Sequence, residues 1–195
     1  MAIDFPPGNI EIMKTILITG SSSGIGRETA NYFAGRGWKV IATMRSPEKE
    51  QELTKNPNIS CLKIDVTDIS SVESGIKEAI QLAGKIDVIV NNAGYAAAGA
   101  FEGATNSQVH RQFDVNVFGL MNVVRAILPH FRANRAGTII NIASVAGHAG
   151  FPTFTLYNST KFAVEGFSEA LWYELKHLGI KVKVVEPGPI KTVVY

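Results

Sequence analysis

The chain has 195 residues, 46% of them hydrophobic and 18% charged, and its formal net charge is +2. That length and apolar content support one well-buried domain rather than two, and the small, scattered charge excludes the basic stripe of a nucleic-acid or anionic-membrane binder. The single cysteine, Cys61, excludes an internal disulfide. Set in the apolar run from Ile59 to Ile64, it reads as a buried structural thiol of a reducing compartment.

Residues 1–12 contain Pro6, Pro7 and Gly8 and lack the cationic start and apolar core of a secretory signal. They read as an N-terminal extension ahead of a single domain over 13–195. No uncharged apolar stretch reaches the roughly 18 to 20 residues of a membrane helix, so the expectation is a soluble, cytoplasmic protein without membrane partners.

In chain order, the β-branched run from Thr15 to Thr19 predicts a strand, the glycines from Gly20 to Gly26 a turn, and Ile25 to Ala34 an amphipathic helix. Gly35 and Gly37 stop that helix, and Trp38 to Thr43 forms a second strand ending at Met44 and Arg45. Ser46 and Pro47 open a short polar helix. Ile59 to Ile64 is a third strand, Ser70 to Leu82 a helix closed by Gly84, and Ile86 to Val90 a fourth strand. A Gly/Ala-rich loop follows, then one long helix from Ser107 to Phe131 whose apolar face carries Phe113, Val117, Leu120, Met121, Val124 and Leu128. Thr138 to Ile142 is the fifth strand, Thr155 to His177 another long helix, and Val182 to Val185 the sixth strand. Strict alternation of strand and helix implies a doubly wound α/β fold with a parallel sheet covered by helices on both faces. Ligands of such sheets bind outside the carboxyl ends of the strands, and every motif below lies just after a strand.

In Thr19-Gly20-Ser21-Ser22-Ser23-Gly24-Ile25-Gly26, the first glycine permits a tight turn, the second lets backbone approach a phosphate, and the third allows close packing of helix on strand. The backbone of Ser22, Ser23 and Ile25, at the helix start, would then face a pyrophosphate. The alternative is an ordinary flexible turn. At the end of the second strand an acid would select the ribose 2′-hydroxyl of NAD. Here Met44 is followed by Arg45, whose guanidinium suits a 2′-phosphate, so NADP(H) is favoured over NAD(H). Asp65, followed by Val66, ends the third strand, where its carboxylate either accepts from an adenine amino group or caps a turn. Asn92, Ala93 and Gly94 follow the fourth strand and face the same pocket.

Tyr157 and Lys161 are four residues apart on one helical face. A phenol is protonated at neutral pH, and a neighbouring ammonium favours its phenolate, which equips Tyr157 as a general acid or base. Ser144, directly after the fifth strand, is placed to hydrogen-bond a carbonyl, or else is a turn residue. Tyr95, Phe101, Phe151, Pro152 and Phe154 either line a mainly apolar substrate pocket or pack the loops. His148 has no histidine partner at metal-site spacing and reads as an incidental loop residue.

Taken together, Thr19 to Gly26, Asn91 to Gly94, Asn116, Ser144, Tyr157 with Lys161, and Pro187-Gly188 resemble the short-chain dehydrogenase/reductase family over nearly the whole chain. The resemblance implies a Rossmann-type sheet in the order 3-2-1-4-5-6. It also implies hydride exchange between a nicotinamide and a carbonyl or secondary alcohol, with Tyr157 as proton donor or acceptor. By the same resemblance Lys161 and Tyr157 also bind the cofactor, Ser144 holds the reacting oxygen, Asn116 positions a water in the proton relay, and Pro187, Gly188, Ile190 and Thr192 contact the nicotinamide end. Relatives commonly pair through two helices, here 107–131 and 155–177, and the extra apolar positions Phe118, Val123, Phe167, Leu171 and Trp172 point to a homodimer or homotetramer. The family usually continues with a substrate-covering segment, a further helix and a seventh strand, which a chain ending at Tyr195 lacks, so this sequence is expected to be C-terminally incomplete. A catalytically idle NADP-binding sensor or scaffold is the alternative to an enzyme.

Overall fold

The computed structural model describes residues 13–190. Within them six strands run parallel, namely β1 (Thr15–Thr19), β2 (Lys39–Met44), β3 (Ile59–Lys63), β4 (Val88–Asn91), β5 (Gly137–Ile142) and β6 (Ile180–Val185). Parallel neighbours need crossovers. These are supplied by α1 (Gly24–Ala34), α2 (Ile69–Ala83), α3 (Asn106–Phe113), α4 (Gly119–Asn134) and α5 (Thr155–Leu175). The strands stand in the order β3-β2-β1-β4-β5-β6. The chain therefore winds outward from β1 to β3 and then returns to lay β4 against β1's other edge. That reversal opens a crevice at the carboxyl ends of β1 and β4.

Period-two alternation divides the strand residues between two apolar layers. Leu17 and Ile41 face a layer built with Val72 and Ile76 of α2, Val123 and Ile127 of α4, and Val164 and Leu171 of α5. Ile16, Ile18, Val40 and Ala42 face the opposite way, against Ala30 and Ala34 of α1. Being covered on both sides, β1 is buried at all of its positions. Helices thus cover both faces, as the alternation of elements implies, although the second face is covered less evenly among the described residues. Ala30 and Ala34 of α1 and Leu53 of the segment before β3 pack on it, and Val88, Ile140 and Ile142 on that side are partly buried.

The largest departure from the sequence reading lies in the helix expected over 107–131. A capping box formed by Thr105 and Gln108 starts α3, but Asp114–Phe118 winds as a wide π turn before α4 begins. Such a turn accommodates an additional residue without ending the helix. The sheet-facing stripe of α4 accordingly comprises Leu120, Val123, Val124, Ile127 and Phe131, while Leu128 is only partly buried. Val123 and Leu171, which the sequence pattern assigned to a subunit contact, are 0% and 6% exposed within the core. Phe118 and Trp172 remain exposed. Two single 3-10 turns, Pro47–Lys49 and Leu53–Lys55, replace the expected polar helix. The second long helix tightens into a 3-10 turn at Lys176–Leu178, and β6 begins two residues early, at Ile180. Cys61 is half-buried rather than fully so. Residues 1–12 lie outside the described residues.

His148 is not incidental. Its Nε2 lies 3.2 Å from Glu186 Oε1 and 3.8 Å from Glu165 Oε1. It thereby joins the loop after β5, helix α5 and the segment after β6. The hydrogen bond and charge of Glu186, with a smaller contribution from Glu165, raise the imidazole above its ordinary value of 6.5. Burial, and then the facing Glu186, push the Glu165 carboxyl up, against opposing effects of His148 and Lys161.

Two outcomes follow from these contacts. A methyl group at position 137 would overlap the ring of the fully buried Phe131, so Gly137→Ala should cost about 1–3 kcal/mol, read as a lower Tm. A raised folded-state pKa means that the native protein binds the proton more tightly than the unfolded chain, so the His148 contribution is complete below 6.5 and is lost as pH rises through its elevated value. Glu165 slopes in the same direction from its own ordinary value upward. His148→Gln should flatten the fall in Tm between pH 6 and pH 8, and an unchanged slope would remove this role.

Candidate active site at the carboxyl rim of the sheet

The turn after β1 is stitched to the end of β4. Thr19 Oγ1 accepts hydrogen bonds from the amides of Asn92 (3.0 Å) and Ala93 (3.1 Å). The Asn92 amide group donates to the carbonyls of Thr19 (2.9 Å) and Gly20 (3.1 Å). This close approach demands glycine. A Cβ on Gly20, whose φ is +67, would stand 2.8 Å from Ala93 Cα, and one on Gly26 would run into the Gly20 carbonyl and the Asn92 side chain. Ser23 is the extended residue before α1, and its side chain makes no cap. The first-turn amides of α1 are thus not consumed by their own N-cap, the arrangement that suits an anion. The cradle in which Gly20 and Gly26 press against Asn92 and Ala93 fits a nicotinamide dinucleotide.

Arg45 is exposed just beyond β2, opposite the end of β3. Asp65 caps the turn after β3 through its Oδ1, which accepts from the Thr67 amide (3.0 Å) and hydroxyl (2.7 Å). Burial pushes that carboxyl up, but the Thr67 bonds and the charges of Arg45 and Lys63 hold it below its ordinary value. Val66 is a core residue against Gly119, and its carbonyl accepts from Asn122 at 3.2 Å. Its side chain is therefore a packing element.

Three candidate proton-transfer residues converge from two elements. Ser144, 8% exposed, follows β5; its Oγ accepts from the Ala146 amide at 3.2 Å and reaches the Pro187 carbonyl at 3.4 Å. From the first turns of α5 come half-buried Tyr157 and buried Lys161. Lys161 Nζ donates to the Ile142 carbonyl at 2.7 Å and lies 5.5 Å from the centre of the Tyr157 ring. Burial lowers Lys161 to about 8, partly offset by Glu165. It thus holds its proton less tightly than an exposed lysine.

Asn116 sits inside the π turn, where its Oδ1 accepts from the Tyr95 amide (3.0 Å) and its Nδ2 donates to the Tyr95 carbonyl (2.9 Å) and Thr160 Oγ1 (3.1 Å). Both amide hydrogens are spent tying the loop after β4 to α5. Pro187 faces the Ser144 loop, its carbonyl accepting from the Val145 amide at 3.2 Å. Gly188 and Ile190 are exposed, and Thr192 lies outside the described residues.

Sequence reasoning missed the residues that hold these loops. Asn158 donates to the carbonyls of Ala146 (2.8 Å) and Ala149 (2.5 Å) and accepts from the Phe151 amide (3.1 Å), clamping the Ser144 loop onto α5. Gln112 likewise bonds Tyr95 and Ala97. Their only sequence signal was a polar residue where a helix turns toward the core. Among the loop aromatics, Tyr95, Phe101 and Phe151 are exposed. An apolar groove between α2 and α4, lined by Ile76, Ile80, Ala126 and Pro129, lies on the helical face and includes none of these candidate site residues.

Residues 14–195 match the family described as short chain dehydrogenase. The chain is 42% identical over 179 residues to the 3-ketodihydrosphingosine reductase of Bacteroides thetaiotaomicron, covering 92% of this chain and 65% of that protein. It superposes on ElxO with NADP bound at a TM-score of 0.89 and 34% identity, covering 93% of this chain and 76% of that one. On the 3-ketoacyl-(acyl-carrier-protein) reductase of Brucella melitensis complexed with NADH the TM-score is 0.88 at 30% identity, covering 92% and 77%. The chain spans 61 to 65% of the length of several curated relatives that it matches. With its parallel six-stranded sheet and the glycine cradle at the switch point, the chain belongs to the short-chain dehydrogenase/reductase family.

Proposed function

We propose that this protein is an NADP(H)-dependent oxidoreductase acting on a mainly apolar carbonyl or secondary alcohol. The observation that carries the reading is the buried Lys161 ammonium beside Tyr157, at the rim that also bears Ser144 and the glycine cradle. A module that only bound dinucleotide could use Lys161 and Tyr157 on the cofactor, but would have no need of Ser144 at the same rim. The cost of burying that charge is met in part by the Ile142 carbonyl.

Gly20, Gly24, Gly26 and the first-turn amides of α1 would hold the pyrophosphate, and Arg45 the 2′-phosphate. The bound cofactor supplies or accepts the hydride at the carbon bearing the reacting oxygen. The chain's own residues handle that oxygen and its proton. Ser144 Oγ–H donates to the oxygen and orients it. Tyr157 gives up its phenolic proton in reduction and receives one in oxidation, while the Lys161 ammonium lowers the cost of the phenolate. Asn116 fixes the approach of α4 to α5 behind this pair. Reduction of a ketone is the favoured direction, consistent with the 3-keto substrate in the name of the Bacteroides relative. No helix among the described residues is long and apolar enough to cross a membrane, and a soluble, cytoplasmic location is part of the proposal. Exposed Phe118 near α4 and Phe162, Trp172 and Tyr173 on α5 support pairing of subunits through these helices.

The reading is tested on the full-length product with a carbonyl panel. Tyr157→Phe should retain NADPH binding while turnover falls by about 10²–10⁴-fold; retained turnover would remove Tyr157 from the chemistry. Arg45→Ala should weaken NADPH by roughly tenfold or more, the scale of a lost charge-assisted contact, and leave NADH unchanged. Because burial holds Lys161 at about 8 in the free protein, kcat/KM for reduction should decline as pH rises through that value and the ammonium is lost. A flat profile from pH 7 to 9 would exclude Lys161 as the assisting cation.

A further inference from the structure

Arg27 and Glu50 form a cross-tie that neither the glycine motif nor Arg45 explains. Arg27, on the first turn of α1, directs Nε (3.1 Å) and Nη2 (2.7 Å) onto the Ser22 carbonyl in the glycine loop. The same Nη2 meets Glu50 Oε2 at 2.5 Å. Glu50 lies five residues beyond Arg45 on the segment between β2 and β3, and its side chain is only 4% exposed. Its other oxygen, Oε1, accepts from the amides of Glu52 and Leu53, each at 2.9 Å. Leu53 is itself fully buried in the core layer beneath α1. A continuous path of bonds therefore runs from the anchored Leu53 turn through Glu50 and Arg27 to the carbonyl of Ser22.

We infer that Arg27 and Glu50 are positioning residues for cofactor choice, holding the glycine loop and the Arg45 segment at a fixed separation. The inference rests on the dinucleotide reading above. The pyrophosphate needs only the start of α1, which is internally bonded. A 2′-phosphate needs the loop and the Arg45 segment together, and these come from different strands, β1 and β2. The carboxylate is buried and engaged by one guanidinium nitrogen and two amides, so the tie is stiff rather than a solvated surface pair. With the fork gone, the Ser22 carbonyl loses both donors and the β2–β3 segment loses its hold on the loop.

The experiment compares Arg27→Met, Glu50→Gln and the double variant with the parent in the full-length protein. Glu50→Gln keeps an oxygen for the Glu52 and Leu53 amides, which preserves the turn, and Arg27→Lys restores charge without the fork. Titration should show NADPH affinity reduced about tenfold or more in Arg27→Met and Glu50→Gln and NADH affinity reduced several-fold less, with the double variant no worse than the weaker single one, as expected of one coupled unit. Arg27→Lys should recover only part of the loss. In the cofactor-free protein, amide hydrogen exchange at Ser22 to Gly24 should quicken in each variant. Unchanged NADPH affinity and unchanged exchange in folded variants would overturn the inference, as would equal losses for both cofactors. If the parent binds neither cofactor, the dinucleotide reading fails, and the exchange comparison alone still decides whether the tie holds the loop.

Discussion

Parallel pairing is the constraint from which the remaining structure follows. Because every strand runs the same way, the chain must leave each one at the same rim and return by a crossover to the opposite side. Thr19, Met44, Asn91, Ile142 and Val185 therefore all end on one edge of the sheet, and residues far apart in sequence become neighbours there. The reversal of winding between β1 and β4 leaves those two ends without a helix packed across both. The polar stitching of Thr19 to Asn92 and Ala93 occupies the opening, and the glycines let the two backbones touch. The same rim carries the loop after β5 and the start of α5, so Ser144, Tyr157 and Lys161 share an edge with the glycine turn without any segment reaching across the molecule.

Burial then does chemical work at that edge. Lys161 sits under its own helix with a single carbonyl partner among the described residues, which is less than an ammonium has in water, and its proton affinity falls accordingly. Around it, Glu165, Glu186 and His148 form a charged patch in which Glu186 raises both His148 and Glu165. Neutralising one of them changes the field at Lys161 through Glu165, one turn along α5. Electrostatic tuning of Lys161 thus extends to residues that do not touch it.

The alternation of strands and helices and the glycine turn were legible in the sequence because both are local patterns: an apolar run, a turn, an amphipathic stretch; the strand order came only with the resemblance to the family. Tyr157 and Lys161 were legible for the same reason, as their spacing is one helical turn. What stayed hidden involves partners that are distant in sequence. Arg27 and Glu50 are 23 residues apart with β2 between them, and neither helical nor strand periodicity links them. His148, Glu165 and Glu186 come from three segments, so a lone histidine in a loop gave no hint of its carboxylates. The π turn was hidden for another reason. The 3.6-residue pattern persists through Asp114–Phe118 closely enough to suggest one helix, and only the buried set beyond it, at Val123 and Ile127 rather than Leu128, registers the extra residue.

That extra residue has a geometric meaning for how this chain tolerates change in length. In a regular helix, one residue more or less rotates everything beyond it by about 100°, which would turn the apolar stripe of α4 away from the sheet. A wide turn has already absorbed such an insertion. Asp114–Phe118 is therefore the place in this helix pair where a residue can be deleted while α3 and α4 keep their faces, the turn relaxing to ordinary helical pitch. The fold would survive that loss, whereas Asn116 would swing away from Tyr95 and Thr160. Foldability and the architecture of the site are thus separable at this turn.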